Sequence, residues 1–567
     1  MERDTKAASI ENRTFGMMSR RQLAGLSVML PALAAALANG SVAAGIGNRT
    51  AISRAAMAQD VPQGGELTVA YNNPVGDTLN QHRSSSTSSR MISRHVLENL
   101  TWVDPANGSV NPWLAESWEI SEDGLEYVFH LKQGVMFHDG TPFNAEAVKA
   151  NFDNTMDPEA RPGFTYGAMG ASAYAGTEVV DEFTVKVTFI SPHAAFLLFL
   201  SDGGTGIDSP TAMAEAGEDY GRTTLVGSGP FKFVEWIQGS HVTLERNPDY
   251  TGGPAAFGFT GPTPLDRLIY RDVPEANIRL QSVLADEAQL ASIIPPNVPE
   301  VQGQDNVRVI ATPKAGTTRM YLFNMNSPKL SDMAVRKAIN MVVDKEAMLM
   351  LPGWAGFGRP GIACLPSNMV PNGDLSSVEQ YDIPYDLEGA RALLDEAGWV
   401  LNGDIREKDG VQLIFDMSVM QSDVDAGVIE PIDGFLREAG MQLNIKAGDI
   451  NYWIDSFSNG DYEMTLMSDS GYVAVGMVQE FFRSGEPFAT TGLANAEIDD
   501  LIDKAIGAPT IEEQWEYLMP CIGLIMQEVV GVMGWESDNL DVASNKLQQL
   551  AYNEIGFPWF YGAYLEQ

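Results

Sequence analysis

Strand-like and helix-like segments alternate along this chain for about 500 of its 567 residues, with no internal repeat and no low-complexity linker. A single hydrophobic core stops growing near ~250–300 residues, so such a chain must divide into two or more lobes. Mixed strands and helices on that scale point to an α/β protein. Leu67-Thr68-Val69-Ala70-Tyr71 reads as a strand that breaks at Asn72-Asn73-Pro74. Phe183, Val185, Val187 and Phe189 alternate with polar residues, the period of a half-buried strand. Asp386 is placed to cap a helix with Leu387, Ala390, Leu393, Leu394 and Ala397 on one stripe and Gly398 at its end. Asn495 precedes a similar stripe of Ile498, Leu501, Ile502 and Ala505, and a third helix is expected from Asp332 through Val342. Trp118-Glu119-Ile120 and Tyr127-Val128-Phe129 flank Asp123-Gly124 and read as a hairpin whose aromatic residues belong in a core.

The first 58 residues read as an export signal. Ser19-Arg20-Arg21-Gln22-Leu23 precedes an apolar run to Ala38, and Ala56-Met57-Ala58 offers a small-residue cleavage site; a cut after Ala43 or Ala44 is the alternative. The pattern resembles a twin-arginine signal. The run of about 16 residues is shorter than the ~20 that span a bilayer, so no permanent anchor is expected. The only cysteines are Cys364 and Cys521, so the leader holds none for lipid attachment and a free periplasmic protein is expected. Their spacing is compatible with a disulfide in an oxidising compartment and equally with two unlinked buried thiols. The whole chain has a net charge of −39, and without the leader, which holds seven of its 36 basic and three of its 75 acidic residues, the charge is near −43. Nucleic acid and anionic membranes would repel such a surface.

Five ordered blocks carry a family resemblance. The first runs from Glu98-Asn99-Leu100 through Asn111-Pro112-Trp113-Leu114-Ala115-Glu116-Ser117-Trp118 to Phe129-His130-Leu131-Lys132-Gln133-Gly134-Val135-Met136-Phe137-His138-Asp139-Gly140. Then come Val226-Gly227-Ser228-Gly229-Pro230-Phe231, Glu245-Arg246-Asn247-Pro248-Asp249-Tyr250, Asp332 through Asp344, and Ala390 through Trp399. Together they resemble the peptide/nickel-type solute-binding proteins of bacterial ABC importers. The resemblance implies a two-lobed periplasmic-binding-protein fold of the α/β class with an additional inserted domain. Lobe I would comprise 59–100, 222–310 and 536–567, the inserted domain 101–221, and lobe III 311–535. It also implies reversible capture of a peptide-like or other small polar solute by a monomer, without covalent chemistry; the family also performs nickel transport, but no cofactor or metal is expected here. The partners would be an ABC permease and its ATPase.

Peptide-binding relatives commonly carry a Trp and, three residues on, an Asp that holds the peptide amine. An ungapped register on Gly460-Asp461-Tyr462-Glu463 puts Asp469 at the Trp position and Tyr472 at the Asp position, which favours a cationic, opine-like or sugar-like ligand. A small gap instead makes Asp469 the amine-binding carboxylate. Asn72 and Asn73 follow the first strand, and Asn324 and Asn326 follow Tyr321-Leu322-Phe323, where an α/β lobe presents groups to its cleft. Trp354 and Arg359, in a Gly- and Pro-rich loop, and Trp453, in a polar stretch, complete the candidate set.

Competing chemistry has thinner support. All six histidines precede lobe III without close metal-ligand spacing. Gly356-Phe357-Gly358-Arg359-Pro360-Gly361 matches a dinucleotide pattern in letters, but Pro360 denies it a strand-turn-helix setting. No Gly-x-Ser-x-Gly elbow or phosphate loop is present, so a secreted hydrolase would rest on unmatched carboxylates. A sensor or chaperone-like binder with the same fold is the remaining rival.

Overall fold

The computed structural model describes residues 61–567 apart from 85, 105–108, 158–164, 167–168, 171–172, 255–260, 352–353, 355, 472, 554 and 567. The expected export signal and Tyr472 lie outside the described residues. Three sheets organise the rest. A seven-stranded sheet has the order Val307–Pro313, Asp538–Ser544, Leu290–Ile293, Glu66–Tyr71, Arg267–Asp272, His241–Arg246 and Phe231–Ile237. A six-stranded sheet has the order Arg359–Pro360, Gly531–Glu536, Arg319–Phe323, Met464–Met467, Ile414–Met420 and Gln442–Gly448. Between residues 115 and 189 lies an antiparallel four-stranded sheet built on the hairpin Ala115–Ile120 and Glu126–Leu131, with Trp118 opposite Phe129.

Local rules account for these elements. Asp386, Asn495 and Asp332 accept the backbone N–H of Gly389, Glu497 and Ala334 and start helices Leu387–Glu396, Ala496–Ile506 and Met333–Val342. The strand Arg319–Phe323 is apolar at four consecutive positions because both its faces are covered. Met320 and Leu322 enter one core, with Phe457 and Val478, while Tyr321 and Phe323 enter another, with Val335 and Phe415.

Two stretches of chain pass side by side between the large sheets. Val307–Pro313 pairs with Asp538–Ser544 as far as Pro313 opposite Asp538, then the Lys314 N–H donates to the Ser537 carbonyl at 2.9 Å. Arg319, opposite Trp535, resumes the pairing in the second sheet. The result is a two-stranded antiparallel hinge. Strand pairing carries the first sheet to Pro313, three residues past the expected boundary at 310, and leaves Glu536 in the second sheet. Away from the hinge, Ala195 and Phe199 of the 101–221 segment join the apolar cluster of Met477, Val478 and Phe481, so the two parts meet across a seam.

Cys364 and Cys521 are free and buried. Burial, with Cys521 nearby, pushes the Cys364 thiol well above its usual range, and burial pushes Cys521 up to about 12. No helix among the described residues is long and apolar enough to cross a membrane.

Candidate functional site

Strand direction relative to the hinge decides which loops can face a ligand held between the lobes. In the second sheet, Arg319–Phe323 starts at the hinge, and Met464–Met467 runs antiparallel to it, ending near the hinge. Ile414–Met420 and Gln442–Gly448 run parallel to Met464–Met467 and end on the same side. In the first sheet, Glu66–Tyr71, Arg267–Asp272 and Leu290–Ile293 are mutually parallel and also end at the hinge. Each sheet therefore turns a rim of carboxyl-terminal strand ends to the hinge, the ordinary place for a ligand in open α/β sheets.

The rim of the second sheet is charged. Asp469 follows Met464–Met467, and its backbone is fastened to the hinge: its N–H donates to Thr317 Oγ1 at 2.8 Å, and its carbonyl accepts the Thr317 N–H at 3.1 Å. Gly316 has φ +133°, and a Cβ there would lie 2.0 Å from the Asp469 carbonyl oxygen, so only glycine permits this approach. The half-buried Asp469 carboxylate accepts the Ser470 N–H through Oδ1 at 2.7 Å. Lys314 lies beside it, its Nζ 3.5 Å from Ser468 Oγ. Burial, helped by the Arg319 guanidinium, pulls the Lys314 ammonium down to about 8, against the attraction of Asp469 and Asp423. Arg319 is paired with Asp423 and lies 5.4 Å from the Trp535 ring centre. Glu480, on the helix Ala474–Phe482, is pushed up to about 7 by burial and by the carboxylates of Asp469 and Glu486. Exposed Ile450 and Tyr452 supply apolar surface where Gln442–Gly448 ends.

The rim of the first sheet is milder. Asn72 and Asn73 are exposed at the end of Glu66–Tyr71. Asn73 has φ 44°, its N–H donates to Asp272 Oδ1 at 2.9 Å, and its Oδ1 accepts the Gly76 N–H at 3.2 Å. A hollow of about 170 Å³ lies there, lined by Asn73, Gly76, Trp236, His241 and Asp272 among others.

The other sequence-predicted residues scatter. Arg359 stands at the hinge opposite Glu536; its Nε donates to Glu536 Oε2 at 2.9 Å while its side chain stays half exposed. Trp453 is in the first turn of Ile450–Asn459 on the same rim, but its ring stacks on Phe457 and its Nε1 donates to Thr465 Oγ1 at 3.1 Å. Trp354 is buried, with its ring centre 3.8 Å from that of Trp535, which makes it core. Asn324 and Asn326 follow the end of Arg319–Phe323 that points away from the hinge, so the cleft position expected for them is corrected. Asn324 ties a turn there, donating to the carbonyls of Gly460 and Tyr462. Lys314 and Glu480 carry no sequence signal. Only sheet pairing and helix packing bring them to Asp469.

Two alternatives meet the geometry. An acid–histidine–hydroxyl chain exists, with His82 Nδ1 2.5 Å from Thr155 Oγ1 and Nε2 3.1 Å from Asp208 Oδ2, but all three residues are at most 2% exposed and no substrate reaches them. The Gly-x-Gly-x-x-Gly letters place Arg359–Pro360 as an edge strand beside Gly531–Glu536.

Known structures share this architecture. NikA from Brucella suis in complex with Fe(III)-EDTA superposes with a TM-score of 0.77 at 24% identity, covering 88% of this chain and 100% of that one. The binding protein DppA from Helicobacter pylori, in complex with the peptide STSA, gives 0.73 at 20% identity, covering 89% and 99%. The fold is therefore that of the two-lobed periplasmic binding proteins. Residues 109–482 match the family of bacterial extracellular solute-binding proteins, family 5 (middle), and the chain belongs to that family. Curated relatives include the glutathione-binding protein GsiB of Pectobacterium atrosepticum, 32% identical over 329 residues, 57% of this chain and 60% of the relative. The glutathione-binding protein GsiB of Escherichia coli K12 is 30% identical over 363 residues, 64% and 66% of the two chains. The chain thus spans about 60% of the length of the first of these relatives.

Proposed function

We propose that the protein captures a small peptide-like solute between its lobes in the periplasm and delivers it to an ABC permease driven by a separate ATPase. The observation that carries this reading is the pair of strand-end rims turned to one two-stranded hinge, with Asp469 on one of them. Closing the hinge buries a ligand between the rims and withdraws it from water, which strengthens every polar contact made to it. Micromolar capture needs only about −8 kcal/mol, within reach of one charged contact, a few hydrogen bonds and some buried apolar area. Asp469, Tyr472, Asn72, Asn73 and Arg359 are the residues we assign to the ligand, and no bond is made or broken. The glutathione-binding relatives and the peptide complex of a structural neighbour support a ligand with peptide bonds. Export by the twin-arginine route, supported by Ser19-Arg20-Arg21, brings a monomer to the periplasm with the 58-residue leader removed.

A thermal-shift screen of the protein from Gln59 onward tests this, since a ligand that binds only the folded state raises the melting temperature. Di- and tripeptides and glutathione are expected to stabilise it. Silence from every peptide, with stabilisation by sugars or quaternary amines, would overturn the peptide reading; steady turnover of a candidate would overturn the transport reading.

A further inference from the structure

One charge near the hinge that no ion pair among the described residues neutralises is a cation. The Lys314 ammonium has three donors, yet its one hydrogen bond among the described residues is the 3.5 Å contact to Ser468 Oγ, and no carboxylate lies within 4.0 Å of it. The two acids nearest in charge do not neutralise it. Asp423 is paired with Arg319, and Asp469 accepts a backbone N–H from Ser470 while standing too far from Lys314 to form an ion pair. The other rim cation, Arg359, is bound to Glu536. Holding a lysine in a desolvated place without a counter-ion is costly, and the chain does so where both lobes meet. An anion arriving from the ligand would complete the site.

We propose that Lys314 is the anion anchor of the cleft and selects solutes that carry a carboxylate. This rests on the solute-capture reading above and deepens it by naming the ligand class. A carboxylate fits better than a phosphate. Asp469 and Asp423 already bear on Lys314 with negative charge, so a singly charged group is accepted where a doubly charged one is repelled. Because Lys314 follows the last paired residue of the first sheet and touches Ser468 of the second, the ligand carboxylate contacts a residue whose position depends on hinge closure. Selection for the anion and closure over it are thereby one event.

Calorimetric titration of the protein from Gln59 onward tests the assignment with two matched pairs: trialanine against trialanine amide, and glutathione against its diethyl ester. The free acids are expected to bind at least tenfold tighter than the blocked forms. Lys314→Met should abolish that preference with little effect on the blocked forms, whereas Lys314→Arg should retain most of it. The preference should also fade above about pH 8, as Lys314, faced by Arg319 and by the carboxylates of Asp469 and Asp423, loses its proton. Melting curves of both variants check that they fold. Equal binding of acid and blocked forms to the parent protein, or equal weakening of both by Lys314→Met, would overturn the anchor while leaving peptide capture intact. No binding by any of the four would instead overturn the capture reading on which the anchor rests.

Discussion

The two rims of the cleft are built alike and charged differently. Each is a row of strand ends turned to the hinge, but the first-sheet rim offers exposed Asn72 and Asn73, the latter held in a turn on Asp272 beside a small hollow. The second-sheet rim gathers Lys314, Asp469 and Glu480, none of which forms an ion pair among the described residues. Fixed amides make a tolerant cover, and unneutralised charges make a selective grip. In the proposed capture, the second sheet reads the ligand and the first sheet closes over it. It also explains why the grip is tied to the hinge: Asp469 is fastened to Thr317 by its backbone, so its carboxylate moves with the crossing strands.

The sharpest way to break this comparison is at the fastening itself. Gly316→Ala places a methyl group against the Asp469 carbonyl at a backbone angle few L-residues adopt, and urea denaturation should show a loss of about 3 kcal/mol. Stability within 0.5 kcal/mol of the parent, on the order of an ordinary surface substitution, would mean that the rim is not held rigidly. Asp469→Asn should lower ligand affinity by about 2 kcal/mol, roughly thirtyfold, with little change in melting temperature, while Asn73→Ala costs about threefold. Calorimetry that reversed this order would move the grip to the first sheet.

Glu480 gives a pH signature. Its folded pKa is raised to about 7 from 4.5, so the folded state favours the proton; that stability is fully present below about 4.5 and is lost as pH rises through 7. Glu480→Gln removes the penalty and should be more stable than the parent by about 1.5 kcal/mol at pH 8, with no gain at pH 4. An equal gain at both pH values would show that charge crowding at this rim is not the cause. The smallest effect is expected at the far end of the second sheet, where Asn326→Ala should change ligand affinity less than about twofold. A tenfold loss would place that turn in the site and undo the argument from strand direction.

Elements governed by neighbours along the chain are legible in the sequence itself. Asp332, Asp386 and Asn495 cap the helices expected of them because an N-cap acts over two or three residues. The hairpin around Gly124 forms for the same reason, its glycine at φ 69°. The candidate site is legible only in part. Asn73 and Asn324 carry the same local message, an amide just past an apolar strand, yet one follows a strand that ends at the hinge and the other closes a turn at the end away from it. Trp354 sits in a loop of Gly and Pro whose composition suggests an available ring, but Trp535, 181 residues later, packs against its face. Lys314 and Glu480 stay silent in the sequence because a lone Lys after a strand and a lone Glu on a helix say nothing of the charges around them.

Hydrophobic period, caps and turn residues thus determined the elements, and chain length required that they divide into lobes, since both follow from short-range chemistry and from how large one core can grow. The ordered blocks fixed the family. What only the tertiary structure decided is which strand ends point at the hinge and which charges meet there unneutralised. Those depend on pairings such as Pro313 with Asp538 and Arg319 with Trp535, made between residues more than 200 positions apart, and no local pattern records the direction in which a distant strand will run.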